Sequence, residues 1–286
     1  MTDTSEQGGW FAGLDPDDEA AAVERIASGS ADAPDDWPAR AVESGFAADA
    51  DEYYDRLHAA TTAATEAAVT EAERADDKQL VHAVRAMSDC ERTANELAER
   101  VAEWGTSRYD EDGSGVGYAR RIADGEVGDG DEGGDRALRS LAERVVAVAA
   151  EADELRAYIE RTAPAVAPNL SMLAGPVLAA RLLSLSGGLE SLAKQPSGTV
   201  QVLGAEDALF AHLSGGTPSP KHGVIFTHEY VSGTRREERG SAARALAGKL
   251  SIAARIDHYS GDRRPDLQRE LDDRMERIRS RGGEGE

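Results

Sequence analysis

Basic side chains cluster in one region of an otherwise acidic chain. The stretch "GTRREERGSAARALAGKL", Gly233 to Leu250, carries Arg235, Arg236, Arg239, Arg244 and Lys249 against Glu237 and Glu238, while the whole chain has a formal net charge of −22. From Thr217 to Arg264 nine basic residues face five acidic ones, a local charge of +4 that leaves −26 for the rest. Three of the four lysines, Lys194, Lys221 and Lys249, lie between 194 and 249. A charge run is ordinarily a solvated face. Here the sign is inverted against the background, which implies an anionic partner.

Other chemistries do not assemble. The six histidines are scattered, "THEY" lacks the second histidine of a zinc-protease helix, and no His pair has metal-ligand spacing. The single cysteine, Cys90, excludes an internal disulfide framework and a Cys-based zinc site. "DGSGVGYARR" offers Gly113, Gly115 and Gly117 without the preceding strand that a dinucleotide fingerprint needs. "RALAGKLS" has Ala243 where a phosphate loop has its first glycine, and Leu250 follows Lys249 where Ser or Thr is required. The residues predict a non-enzyme with no metal and no cofactor.

Composition narrows the class. Aromatics are 5% of the 286 residues and alanine is abundant, which favours helices packed through small side chains. The longest apolar candidate, Leu170 to Leu192, is interrupted by Pro176, Arg181 and glycines, so no membrane span is expected. The acidic start lacks a secretory signal pattern, and the expected location is cytoplasmic. Of 32 basic residues 28 are arginine, set against 54 acids. That surface suits high intracellular salt, where strong net charge preserves solubility, so a halophilic source is expected.

The elements that must position the basic cluster follow from periodicity. Residues 1–56 form a short acidic region whose aromatic-apolar cluster is "GGWFAGL", with a helix expected over Pro16–Ala27 capped by Asp15. Residues 57–104 contain no Gly or Pro, and Leu80, Val84, Met87, Ala94, Leu97, Val101 and Trp104 recur at helical spacing. One helix over this range would reach roughly 72 Å. After a Gly/Asp-rich loop, Leu138, Leu141, Val145, Val148, Ala152, Leu155 and Ile159 alternate by three and four, a heptad seam. Two long helices about a loop predict an antiparallel coiled-coil hairpin over 57–163 that dimerises.

From Pro164 the chain is apolar almost all round, as buried helices are. Pro176 should open a helix that Gly187 and Gly188 end. "SGTVQVLG" and "VIFTH" read as extended, and Glu206–Leu213 as a helix. Gly240–Asp257 is an amphipathic helix, with Ala242, Ala245, Leu246, Leu250, Ile252, Ala253 and Ile256 inward and Arg244, Lys249 and Arg255 outward. Residues 164–264 form the compact C-terminal domain, and 265–286 a charged helix, Leu267–Arg279, ending in the disordered tail "RGGEGE". The fold class is all-α.

The block from Ala163 to Gly261 resembles the Nop domain, the scaffold of box C/D ribonucleoproteins. The likeness rests on "APNLSMLAGP", "AARLLSLSGGLESLAKQPSGTVQVLGAEDALF", "PKHGVIFTHEYV" and "GSAARALAGKLSIAARIDHYSG". Upstream, "DDKQLVHAVRAMSDCERTANELAERVAEW" is similar to the family's first coiled-coil helix, so the likeness covers roughly 185 residues in order. It implies a non-catalytic homodimer. Its C-terminal domain would grip a kink-turn of box C/D guide RNA together with a ribosomal-type kink-turn-binding protein. Its N-terminal part would recruit fibrillarin, the S-adenosylmethionine-dependent enzyme that methylates the ribose 2′-hydroxyl.

On that resemblance Arg235, Arg236, Arg239, Arg244, Lys249 and Arg255 bind phosphates and set register, joined by Lys194, Lys221, His222 and His228. Gly204, Ala205, Glu206 and Leu209 in "LGAEDALFAHL" contact the kink-turn protein, with Phe210 assigned to the core. Asp207 and Ala211 stand where the family has Lys and Arg, which weakens any RNA role for this helix. The region ahead of the coiled coil is about half the family's usual length, and Trp10, Phe11 and Leu14 are the expected fibrillarin anchors. The residues alone leave two alternatives open. One is a coiled-coil interaction protein with a non-specific basic helix. The other is a nucleotide-dependent enzyme using the Gly-rich loop.

Overall fold

The computed structural model describes residues 9–30, 35–127, 133–216 and 218–281, and among them there is no strand. The tail beyond Arg281, expected to be disordered, lies outside the described residues. The chain forms two compact units, 1–75 and 76–286.

The first unit contains α1 (Glu19–Ser28), α2 (Trp37–Glu43) and α3 (Ala50–Arg74). Its acids work as caps: the carboxylates of Asp18, Asp36 and Asp49 accept the N–H groups of Ala21, Ala39 and Glu52 at 3.0, 3.3 and 2.8 Å. The first helix therefore starts after Asp18, not after Asp15, whose carboxylate caps an earlier single turn by accepting from Asp17 N–H. This short region has a core of its own. Phe11, Phe46 and Tyr53 are buried together, and Trp10 meets Phe46 edge-on at 5.2 Å and donates its indole N–H to Tyr53 Oη at 3.3 Å. Such aromatic pairs add about 0.5–1.5 kcal/mol beyond area burial.

The second unit opens with α4 (Asp76–Arg108), α5 (Gly115–Ala123) and α6 (Gly133–Val166). The single helix expected over 57–104 is thus two. Ala75 is extended (ψ 143°), and tertiary bonds fix where α4 begins. Asp77 accepts the Leu189 N–H at 2.7 Å, and Lys78 Nζ donates to Gly187 O at 2.5 Å. A sequence without Gly or Pro carries no local sign of that break.

Helices α4 and α6 pack antiparallel. Glu91 pairs with Arg156 in mid-hairpin, and Arg108 pairs with Asp135 at the tip. Leu138, Val145, Ala152 and Ile159, seven residues apart, are all buried, facing Leu80, Val84, Met87 and Val101. Each large apolar side chain so enclosed contributes about 1.5–3 kcal/mol. Leu97, Leu141, Val148 and Leu155 are only half-buried. At the tip Tyr118 of α5 is wedged against two glycines: a Cβ at Gly105 would lie 2.7 Å from its hydroxyl oxygen, and one at Gly113 would lie 2.0 Å from its ring. Pro164 lies inside α6, so the change of texture there is a change in burial and not a helix end.

Short helices then wrap a central one. They are α7 (Pro168–Ala174), α8 (Pro176–Ser186), α9 (Leu189–Lys194), α10 (Ser197–Val202), α11 (Glu206–Leu213), a 3-10 turn (Val224–Thr227) and α12 (Glu229–Ser232). They enclose α13 (Arg239–Tyr259), and α14 (Asp266–Arg281) closes the unit. "SGTVQVLG" and "VIFTH", expected to be extended, are helical turns; Val200 and Ile225 are fully buried in them. The Pro176 start and Gly187 stop of α8 are as expected, with Gly187 left-handed at φ 87°.

Ala242, Ala243, Leu246, Ala247, Leu250, Ala253 and Ala254 of α13 are fully enclosed, because alanines let neighbouring backbones approach. Ile252, expected inward, is 40% exposed. A buried polar hub ties this helix down. Asp257 accepts the N–H groups of Asn169 and Leu170 (3.0 and 2.8 Å) and the Asn169 amide (2.6 Å). Asn169 Oδ1 accepts Arg264 N–H at 2.6 Å. Burial pushes the Asp257 carboxyl above the usual carboxylate range.

No single described helix is long and apolar enough to cross a membrane; α7 and α8 together are, but they bend by 116° and their leucines other than Leu185 are buried.

Candidate nucleic-acid interface

The interface is built on the loop that leads into α12 and the turn that follows it. Gln201 and Leu203 hold the loop. Gln201 Nε2 donates to Lys221 O at 2.7 Å, while Gly223 and Val224 N–H donate to Gln201 O and Leu203 O at 2.9 and 2.7 Å. A Cβ at Gly223 would sit 1.9 Å from Leu203 O, so only glycine passes there. The pinned loop stacks His222 on Phe226 at 4.6 Å and 19°, and the Arg239 guanidinium lies 5.3 Å from the same ring. Burial, then the Arg239 charge, lowers the His222 pKa, so the ring stays neutral near pH 7.

The predicted RNA contacts divide into two groups. Lys221, Arg235, Arg236 and Arg244 are exposed, and His222 is half-exposed beside them. The second group is occupied within the fold. His228 Nδ1 accepts Tyr230 N–H at 3.1 Å, so Nε2 carries the proton and donates to Leu173 O at 3.0 Å. Both nitrogens are used, and the expected RNA role of His228 gives way to a helix cap. Arg239 donates to Thr234 O and Ser232 O at 3.1 and 3.3 Å. Arg255 donates to Ala193 O and Gln195 O at 3.1 and 3.2 Å, satisfying the carbonyl end of α9. Lys249 pairs with Glu270 of α14, so two expected phosphate ligands are instead ties between helices. Lys194 pairs with Glu190 at 2.5 Å on the surface. Such an exposed, solvent-screened pair adds little to stability.

Helix α11 stands apart. Gly204, at φ 79°, donates its N–H to Glu206 Oε1 at 2.8 Å, and Leu209 is half-buried. No residue of α11 is buried; Phe210 is 68% and Leu213 71% exposed. The core assignment of Phe210 is therefore overturned. The i, i+3 spacing of these two apolar residues on a short helix was the available signal.

In the first unit Phe11 is 2% exposed, enclosed by Ala41, Phe46 and Tyr53. It is core and offers no surface to a partner. Trp10 and Leu14 are half-buried.

Comparison with known proteins decides the family. The model for Nop, described as snoRNA binding domain, fibrillarin, matches residues 132–279, from the start of α6 through most of α14. The chain belongs to the Nop family. Its relatives include a NOP5 family protein of Methanocaldococcus jannaschii, 34% identical over 271 residues, covering 83% of this chain and 66% of that protein. Nucleolar protein 58 of Saccharomyces cerevisiae is 40% identical over 126 residues, 44% of this chain and 25% of that one. The chain thus spans 66% of the archaeal relative's length and a quarter of the nucleolar protein's. A chain from the crystal structure of a fibrillarin/Nop5p complex shares the fold, with a TM-score of 0.53 at 24% identity, covering 95% of this chain and 99% of that one. The Nop match takes in the pinned loop, the arginine turn, α11 and α13.

Proposed function

We propose that this chain is a non-catalytic scaffold of a box C/D guide ribonucleoprotein. It binds kink-turn RNA together with the kink-turn-binding protein and recruits fibrillarin for guide-directed ribose 2′-O-methylation. The observation that carries this reading is the Nop match over 132–279, a segment that contains the exposed Lys221, Arg235, Arg236 and Arg244.

The parts take distinct roles. The four exposed cations, with His222 on its Phe226 stack, hold phosphates and set register. Phe210 and Leu213, with Leu209 and the Gly204–Glu206 turn, offer the kink-turn protein an apolar patch of the kind that makes a hot spot. The half-buried Leu97, Leu141, Val148 and Leu155 support homodimerisation, since a second hairpin would cover them. Trp10 and Leu14, without Phe11, remain the fibrillarin-docking candidates. The acidic, arginine-rich composition supports a high-salt archaeal cell interior as the setting. Methyl transfer belongs to fibrillarin; this chain places that enzyme over the guide–target duplex.

Reconstitution with guide RNA, kink-turn protein, fibrillarin and labelled S-adenosylmethionine tests the reading. Methylation at the guided ribose should require this chain, and it should vanish without fibrillarin. Unchanged methylation when this chain is omitted, or methylation without fibrillarin, would reject the scaffold role.

A further inference from the structure

We infer that a groove between α13 and α14, separate from the arginine turn, takes the phosphodiester backbone of RNA, held by Arg244, Arg274 and Arg277. The inference rests on the RNA-binding reading above and extends it to the terminal helix, which sequence analysis left without a role.

The groove encloses about 710 Å³. Its charged lining is Arg244 and Lys249 from α13, with Glu270, Asp273, Arg274 and Arg277 from α14. Lys249 and Glu270 pair and cancel. Three guanidiniums then face one carboxylate, Asp273, on a chain of net charge −22. Arg277 Nε donates to the Asp273 carbonyl at 3.0 Å, which fixes the side chain along the helix. Among the described residues neither Arg244 nor Arg274 is held in an ion pair, whereas the neighbouring Lys249 is.

The floor is small. Ala245 and Gly248 line it, and a Cβ at Gly248 would meet nothing within 4 Å. A ligand backbone can therefore come close to α13. The lined face runs from Ser241 to Ile252, roughly 16 Å of helix, long enough for several phosphates. Along the chain it begins just past Arg235 and Arg236, on the helix that follows their turn.

Chemistry favours phosphate over an acidic protein segment. Guanidinium forks bond two phosphate oxygens at once. A protein partner would also need apolar anchors; of the two large apolar lining residues Ile278 is buried, which leaves Ile252, 40% exposed, as the single one on offer against three guanidiniums.

The test measures fluorescence anisotropy of the full chain on a box C/D kink-turn RNA across a KCl series, with and without saturating kink-turn protein. Arg274→Ala/Arg277→Ala should weaken binding about tenfold and flatten the log K against log[KCl] slope by roughly 1.8, about 0.9 per lost phosphate contact. Gly248→Glu should weaken binding as well, while Gly248→Ala and Arg269→Ala, the latter outside the groove, should leave it unchanged. Thermal unfolding at the wild-type temperature shows that each variant is folded. Wild-type affinity and slope in both groove variants would overturn the inference, as would an equal loss in Arg269→Ala. Binding of poly-L-glutamate that is lost in Arg274→Ala/Arg277→Ala, with RNA affinity unchanged, would assign the groove to an acidic partner and also overturn it. Loss of the kink-turn protein's effect on wild type bears on the scaffold reading alone.

Discussion

His228 and Arg236 share the basic segment and do opposite jobs. His228 spends both ring nitrogens inside the fold, whereas Arg236 stands in solvent. The difference makes a prediction. Burial holds the His228 pKa below its ordinary value of 6.5, so the folded state binds this proton less well than the unfolded chain does. Its contribution is complete above pH 6.5 and is lost as pH falls through the depressed folded value. Protonation at Nδ1 would turn the acceptor for Tyr230 N–H into a donor. Urea unfolding of wild type should therefore show stability falling as the pH drops below 6.5, with a flatter profile in His228→Asn. Parallel profiles for the two proteins would remove His228 from the account. At this scale the sequence revealed the cations but not their employment. Lys249 is taken by Glu270, 21 residues away, and Arg255 by Ala193 O, 62 residues away. Nothing local in "AGKLSIAAR" distinguishes such ties from free phosphate ligands.

Among the elements, those with a strong period or a stereochemical stop were legible, and those fixed by distant partners were not. The heptad of α6 and the Pro176–Gly187 bounds of α8 were read directly. The break at Ala75 was invisible because Asp77 and Lys78 define it through bonds to α8 and α9. Alternating "TVQV" suggested a strand, yet burial of Val200 in a single turn won over propensity. Two glycines give an element-scale prediction of opposite signs. Gly→Ala inside a helix ordinarily stabilises by about 0.5–1 kcal/mol. Gly248→Ala should follow that rule, since its Cβ meets open space. Gly105→Ala, equally helical, should destabilise by about 1–3 kcal/mol, because its Cβ would press within 2.7 Å of Tyr118 Oη. Chemical denaturation of the two variants checks this; stabilisation by both would mean that Tyr118 is not clamped over Gly105.

For the whole molecule, the proposed function asks how a chain of net charge −22 would hold a polyanion at all. In molar salt the Debye length is about 3 Å, so long-range repulsion and long-range steering both fade. Counterion release also weakens phosphate binding steeply as salt rises. Contacts at hydrogen-bond range must then carry the affinity, and a composite surface adds protein–protein contact that salt does not screen. Exposed Phe210 and Leu213, together with an exposed arginine turn, fit that demand. The all-α class was legible from composition and period. The self-contained aromatic core around Phe11 was not, because its members lie at 11, 46 and 53 and converge only on folding. The most direct test of the central claim is a gel shift in molar KCl with box C/D RNA, with and without the kink-turn protein, comparing wild type with Arg236→Glu/Arg244→Glu. The account predicts a supershift only when both RNA and kink-turn protein are present, lost in the double variant. Equal binding to any duplex without the kink-turn protein would contradict it.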